Sequence, residues 1–409
     1  MNTQNKKPNI RFNQFKELWK VVKLDSISQK VKSKNINNSF ENVLTNSAEF
    51  GIVPQRDFFD KDIANLKSLS GYYVVQPNDF VYNPRISNKA PVGPIKANFL
   101  NITGVISPLY YVFRTQNIDV FFLAKYFDSS YWHKFMKLNG DTGARSDRFA
   151  IKDSVFKEMP IPFPSLAEQS AISTFFRNLD DLLSSYKDNL ANYQSLKVTM
   201  LSKMFPKAGQ TVPEIRLDGF EGEWELIKLG EVCDLITKGT TAKSQSEQGK
   251  VNFVKVENLK DNEIYYVVKI SEEEHLGSLK RSILFEGDIL FSIAGTLGRT
   301  AIVRNNVLPA NTNQALAIIR GYKLDAYFLL IVLSGEVVKD YIRKNPTVGA
   351  QPNLSLEQVS SLKIQAPSIE EQQAIGAYFS NLDNLINSHQ EKISQLETLK
   401  KKLLQDMFI

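Results

Sequence analysis

The chain has 409 residues, 43 % of them hydrophobic and 23 % charged, with a formal net charge of +6. That length allows two to four domains, and that composition belongs to a globular chain rather than a disordered one. One cysteine, Cys233, excludes an intrachain disulfide or a multi-cysteine metal site, and no apolar run of about 18 residues is present to span a membrane. The opening MNTQNKKPNIRF lacks the apolar core of a secretion signal, so the expected compartment is the cytoplasm. The basic excess sits in residues 1–160, with 23 Lys and Arg against 14 Asp and Glu, and it suits a polyanionic partner.

In chain order, short strands are expected at 72–75, 80–82 and 109–113, where aromatic and β-branched residues are bounded by Gly, Pro and Asn. A short helix is expected at 119–127, followed by the polar loop NGDTGARSDRF at 139–149. The prolines of MPIPFP, 159–164, hold the chain extended. A long helix follows over 164–205. Ser165 and Glu168 have the spacing of a capping box, in which Ser takes the amide of the third helical residue and Glu returns to the cap amide. Its apolar residues Ile172, Phe176, Leu179, Leu183, Tyr186, Leu190 and Tyr193 recur in steps of four and three. That is a heptad seam, which needs a partner helix. The next seam position is Lys197, so the seam is expected to shift there. About 40 residues at roughly 1.5 Å each make a rod of about 60 Å.

After a linker at 206–212 the pattern returns. PNIRFNQFKELWKVVKL near the start is answered by PEIRLDGFEGEWELIKL from Pro213. Strands are expected at 251–256, 264–270, 288–293, 301–303 and 315–319, and helices at 324–333 and 337–343, separated by polar Gly, Thr and Asn loops. A second long helix over 367–408 repeats the first without a gap, with Ser368 and Glu371 at its start. Its seam reads Ile375, Phe379, Leu382, Ile386, His389, Ile393 and Leu396, then Lys400. The chain is thus one unit, a globular segment and a rod, written twice. Heptads sustained along a whole helix favour a partner helix over simple packing on one domain, and the simplest partner for one rod is the other.

Familiar catalytic constellations are missing. There is no GxxxxGK[ST] phosphate loop, no GxGxxG, no Asn-Pro-Pro-aromatic motif and no carboxylate two residues before a lysine. His133, His275 and His389 lie far apart and read as structural, with the SEEEH run around His275 expected to be a solvated turn. The loops instead carry the residue types that contact phosphates and base edges. One candidate group is Arg145, Ser146 and Arg148, with Arg85 and Lys89 in NDFVYNPRISNKAPVG. A second is Thr296, Arg299, Asn313, Gln314, Gln351 and Asn353, with Lys238 and Thr240 in TKGTTAKSQ. From residues alone, a coiled-coil scaffold and a stand-alone DNA-modifying enzyme remain alternatives.

The sequence resembles the DNA-specificity subunit of a type I restriction-modification system. The resemblance rests on the two segments that begin at Pro8 and Pro213, on GVISPLYYVFR at 104–114, GDILFSIAGTLGRTAIV and NLSLEQVSSLKIQAPSIEEQQAI, and on MPIPFPSLAEQSAI. It implies an α+β fold with an internal two-fold repeat: two mixed α/β target-recognition domains joined by two long antiparallel coiled-coil helices. The domains would be residues 1–160 and 206–365, and the spacer helices 161–205 and 366–409. Each domain would read one half of a split, asymmetric site on double-stranded DNA. The spacers, through seam residues such as Leu190 and Ile393, would set the gap. Two methyltransferase subunits, and through them the restriction and motor subunits, would be the partners. S-adenosylmethionine, ATP and Mg2+ would belong to those partners, with no cofactor and no catalytic residue in this chain.

Overall fold

The computed structural model describes residues 7–58, 66–142, 147–207, 209–243, 248–265, 267–345 and 353–409. The chain divides into two compact units, residues 1–187 with 391–409, and residues 188–390. Each unit therefore holds one globular segment, part of the helix that follows it and part of the other long helix.

In the first unit, β1 (Lys20–Lys23), β2 (Ser28–Lys30), β3 (Phe80–Tyr82), β4 (Ile95–Ala97) and β5 (Tyr111–Thr115) precede the helix α1 (Val120–Asp128), the strand β6 (Pro160–Phe163) and the long helix α2 (Leu166–Lys203). The main sheet has the order β2-β5-β3-β4, all antiparallel, while β1 and β6 form a separate ribbon. Aromatic residues build the core: Phe80 stacks on Phe113 at 5.2 Å, and Phe122 and Phe127 are buried behind them. Asp119 caps α1 by accepting from the amide of Phe122 at 2.9 Å.

The second unit repeats this plan. It contains β7 (Glu225–Lys228), β8 (Cys233–Lys238), β9 (Ile289–Ser292), β10 (Thr300–Ile302), β11 (Leu316–Tyr322), α3 (Ala326–Ser334), β12 (Lys363–Ala366) and α4 (Ile369–Asp406). Its main sheet runs β8-β11-β9-β10, with β7 and β12 as the ribbon. One ion pair, formed by a buried aspartate and a partly exposed arginine, is common to both sheets. Asp79, fully buried, takes two bonds from Arg114 at 2.7 and 2.9 Å, and Asp288 takes two from Arg320 at 2.7 and 2.6 Å. Each aspartate also accepts the amide three residues before it, from Gln76 and from Phe285, closing the turn into its strand.

The twice-occurring PSxxEQ stretch is explained residue by residue. Ser165 and Ser368 accept from the amides of Glu168 and Glu371, both at 3.3 Å, so the serine half of the capping box forms. The glutamates do not return to the cap amides as expected. Glu168 gives both oxygens to Arg11 at 2.6 and 2.7 Å, and Glu371 gives both to Arg216 at 2.8 and 2.6 Å. A guanidinium that is itself buried is a stronger claimant on a buried carboxylate than a neutral amide. Gln169 accepts from the amide of Asp119 and donates to Pro164; Gln372 does the same with Asp325 and Pro367. The motif thus fastens the start of each long helix to its own globular segment.

Within each unit the long helices also pair, antiparallel. In the first, Asp180 meets Lys400 and Lys187 meets Glu397, so rising numbers on α2 face falling numbers on α4. In the second, Tyr193 meets His389 and Lys197 meets Asp383. Ile172, Phe176, Leu179 and Leu183 are buried in the first unit with Leu396, Leu403 and Met407, and Ile375 and Phe379 are buried in the second with Met204. Each such side chain contributes about 1.5–3 kcal/mol relative to exposure. The seam does not shift at the lysines. Lys197 and Lys400 stay in register, and each ammonium reaches an aspartate of the facing helix, at 2.5 and 2.6 Å, while the neighbouring Leu196 and Leu399 are left exposed. The helix ends are clasped too: Phe408 packs on Trp19, Phe122 and Phe176, and Phe205 on Trp224, Phe328 and Phe379.

Several strands differ from expectation. The strand at 109–113 begins two residues later, and 264–270 divides into Glu263–Ile264 and Val268–Ile270. The SEEEH run is a capped helical turn, Glu272–Leu276, in which Nδ1 of His275 meets the buried Asn311 at 2.5 Å. Arg11 and Glu168 are 6 % and 1 % exposed, so removing one strands the other. Arg11→Ala is expected to cost about 3–5 kcal/mol, read as lost amide protection in the first turns of α2. Replacing Arg11 and Glu168 together with Met and Leu should cost far less.

Candidate nucleic-acid interface

One end of each main sheet gathers the candidate residues. In the first unit, the ends of β2 and β3 lie beside the start of β5, because Lys30 is opposite Phe113 and Tyr82 is opposite Tyr111. The chain leaving β3 turns on Asn83, whose side chain accepts from the amide of Arg85 and donates to the carbonyl of Asn46, both at 3.0 Å. This brings Arg85 directly opposite Arg148 in an antiparallel bridge. Flanking backbone bonds, Ile86 to Asp147 at 3.0 Å and Phe149 to Pro84 at 2.8 Å, fix the bridge. Neither guanidinium has a carboxylate partner among the described residues. Lys89 differs, since Glu49 holds its ammonium at 2.7 Å. Arg145 and Ser146 lie outside the described residues.

Beside the arginine bridge is a cavity of about 650 Å³, with Tyr73, Tyr82, Tyr110, Tyr111 and Phe149 in its wall. Lys30 sits over the Tyr111 ring, 4.9 Å from its centre, and pairs with Asp153. Burial, with Asp153 and Asp25 nearby, pushes the Tyr111 hydroxyl up to about 12, so it remains a neutral donor. Lys30 was not among the sequence candidates. Only pairing of Ser28–Lys30 against β5 places it here.

In the second unit, Lys238 ends β8 opposite Ala317, and Ser292 ends β9 opposite Leu316. Gly239 follows. A Cβ there would lie 2.2 Å from the carbonyl oxygens of both Thr312 and Asn313, so the two backbones touch only because this residue is glycine. The Thr240 amide donates to Thr312 at 3.0 Å, and Thr241 donates its hydroxyl to Gln314 at 2.6 Å. Asn313 turns its oxygen back to the amide of Ala315 at 3.2 Å. Ser292 closes the 293–299 loop, donating to the carbonyl of Thr296 at 2.6 Å and accepting from the amide of Arg299 at 2.7 Å. Gly295 and Gly298 supply the positive φ angles of that turn, +74° and +79°.

Lys238, Thr240, Thr296, Asn313, Gln314 and Asn353 are therefore gathered at one sheet end. Asn353 bridges Ala294, which is the bridge that Arg85 and Arg148 make in the first unit. Arg299 is a partial exception. Its guanidinium turns to the carbonyls of Val256 and Leu259, at 3.3 and 3.4 Å. Gln351 lies outside the described residues. The histidines are engaged structurally: His133 meets the Trp132 ring at 4.6 Å, and burial with Lys137 nearby lowers its pKa. No helix among the described residues is long and apolar enough to cross a membrane.

The architecture defines a class: a duplicated α+β unit on paired helices, with unlike polar loops at matching sheet ends. Residues 221–398 match the model of the type I restriction modification DNA specificity domain. The chain is 25 % identical over 264 residues to the type I restriction enzyme MjaVIII specificity subunit of Methanocaldococcus jannaschii, covering 62 % of each chain. It is 25 % identical over 281 residues to the EcoBI specificity subunit of Escherichia coli, covering 60 % of this chain and 57 % of that one. The matches thus span about three fifths of the relatives' length. The type I restriction-modification S subunit of M. genitalium has a similar fold, with a TM-score of 0.59, 16 % identity and coverage of 98 % and 99 %. The chain is thus similar to type I restriction-modification specificity subunits, and residues 221–398 match the DNA specificity domain of that family.

Cys233 faces Tyr322 across β8 and β11, and burial with Asp234 nearby pushes its thiol up to about 11. The thiolate is the reactive form. A thiol titrating near 11 instead of at its ordinary value leaves roughly a hundredth of the ordinary thiolate fraction at pH 8. Alkylation of the folded chain by iodoacetamide, followed by mass spectrometry, should be slower than in urea by about ten- to a hundredfold.

Proposed function

We propose that this chain is the non-catalytic subunit that reads a split, asymmetric sequence on double-stranded DNA, one half with each globular unit. The observation that carries this reading is the bridge of Arg85 and Arg148. Like charges directly opposite on neighbouring strands repel. A surface that sets two arginines directly opposite each other, with no carboxylate partner among the described residues, is suited to a polyanion. The second unit has amides and hydroxyls in the matching place, from Asn353, Asn313, Gln314 and Thr240, which suit base edges more than phosphates. Unlike loops in one frame imply unlike half-sites.

The paired helices act as the spacer between the half-sites. The family resemblance adds two methyltransferase subunits as partners, with restriction and motor subunits joined through them. S-adenosylmethionine, ATP and Mg2+ reside in those partners, and the assembly works in the cytoplasm. Arg145, Ser146 and Gln351, chosen from the sequence, are proposed to share in the reading.

Two measurements test this reading. Arg148→Ala, and separately Arg85→Ala, should reduce the slope of log affinity against log salt by about one for a phosphate contact, or cost roughly 1–3 kcal/mol at one base position for a base contact. Neither should alter selection at the second half-site. Loss of neither slope nor base preference in both variants would overturn the assignment of this surface. Adding one heptad to each long helix should change the accepted gap while both half-site sequences stay the same. Selection of a new half-site would count against the spacer role.

A further inference from the structure

The first unit contains a chain of five charged side chains that runs from its sheet to both long helices. Lys96, on β4, holds Asp128 at 2.6 Å. Lys125 on α1 reaches the other oxygen of Asp128 at 3.2 Å and also Asp180 on α2 at 2.9 Å. Asp180 is shared with Lys400 on α4 at 2.6 Å. Lys125 is the centre of the chain and its side chain is 9 % exposed. Beside the Arg11–Glu168 anchor at the start of α2, it is a second point at which the globular segment grips the helix pair by charge.

The second unit makes the same junction without charge on the globular side. By register, Lys96, Lys125 and Asp128 correspond to Ala301, Ile331 and Ser334. The helix pair keeps its share, since Asp383 still holds Lys197 at 2.5 Å. The grip on α3 comes instead from the hydroxyl of Tyr327, which donates to Asp383 at 2.6 Å. In the first unit that place is Phe121, whose ring lies 4.1 Å from the guanidinium of Arg177 on α2.

We propose that Lys125 is a positioning residue which, held between Asp128 and Asp180, fixes the angle of the first globular segment on the paired helices and so narrows the gap accepted between half-sites. This rests on the reading and spacer roles proposed above. The physical reason is directional. An apolar contact between two helices tolerates sliding, whereas an ammonium held by two carboxylates on different helices has few satisfactory positions. Lys125 is distant in role from the loops that would meet DNA, so its effect should appear in the gap and not in the bases.

The second unit provides the test, because it already folds with the uncharged side chains. The assembly purified from its host would be offered DNA with both half-sites fixed and the gap varied one base pair at a time. K125I, and the triple change K96A/K125I/D128S, should leave both half-site sequences unaltered. The preference for the best gap over its neighbours should fall by about tenfold, a size within the range measured for coupled contacting residues. Adding F121Y to the triple change, which installs the hydroxyl found in the second unit, should restore most of that preference. Should the triple change prove poorly folded, Asp180→Asn keeps the shape, removes the charge and should give the same loss. An unchanged gap preference in folded K125I and D180N would overturn the proposal and leave the reading role intact. A native assembly that selects no split site at all would overturn the reading role itself.

Discussion

Each long helix has two apolar flanks, and neither can be left in water. Within each unit, one flank meets the facing helix along the heptad seam, and the other meets a globular segment through the PSxxEQ start and the clasped phenylalanine at the helix end. The rest of the architecture follows from satisfying both. A coiled coil alone would expose the faces of Ile172 and Ile375 that pack into the globular cores, and a helix packed only on its own segment would leave Tyr193 and Leu396 facing solvent. The lysines on the seam strengthen this arrangement. A charged residue at a seam position is tolerable only where a partner waits, and Lys197 and Lys400 find one in Asp383 and Asp180. A slipped register would lose both pairs, so these positions select one pairing of the helices.

The duplication separates what the frame requires from what a surface can vary. Asp79 with Arg114 and Asp288 with Arg320 occupy the same corner of their sheets, as do the paired Arg–Glu anchors at the helix starts. At the opposite sheet end the backbone keeps one bridge and changes its side chains, from Arg85 and Arg148 to Ala294 and Asn353. Backbone hydrogen bonding there is indifferent to side-chain identity, which lets the loops diverge without disturbing the sheet. On the proposed function, that freedom is what lets one frame recognise two unlike sequences.

The junction between globular segment and helix pair is solved twice with different chemistry. Where the first unit uses Lys125 between two aspartates, the second uses a phenol, and burial with Asp383 beside it pushes the Tyr327 hydroxyl well above its usual range, so it stays a donor. Both solutions give a partner to a half-buried carboxylate on the long helix. They differ in how strongly charge contributes to the grip.

Much was legible in the sequence because it is local or periodic. The two-fold repeat, the heptad positions from Ile172 to Tyr193 and from Ile375 to Leu396, the serine caps, and the short strand at 80–82 all depend on residues near one another in the chain. What the sequence did not disclose depends on partners far along it. Glu168 looked like a capping residue until Arg11, 157 positions earlier, took both its oxygens. The seam lysines looked like a break until aspartates on the other helix met them. Lys30 had no visible part until β2 paired with β5, and the strand Cys233–Lys238, with three apolar residues in its six, became one only against β11. Periodicity fixes which face of an element is dry, whereas the partner of a buried charge is chosen by tertiary packing, because an ion pair has no sequence spacing of its own.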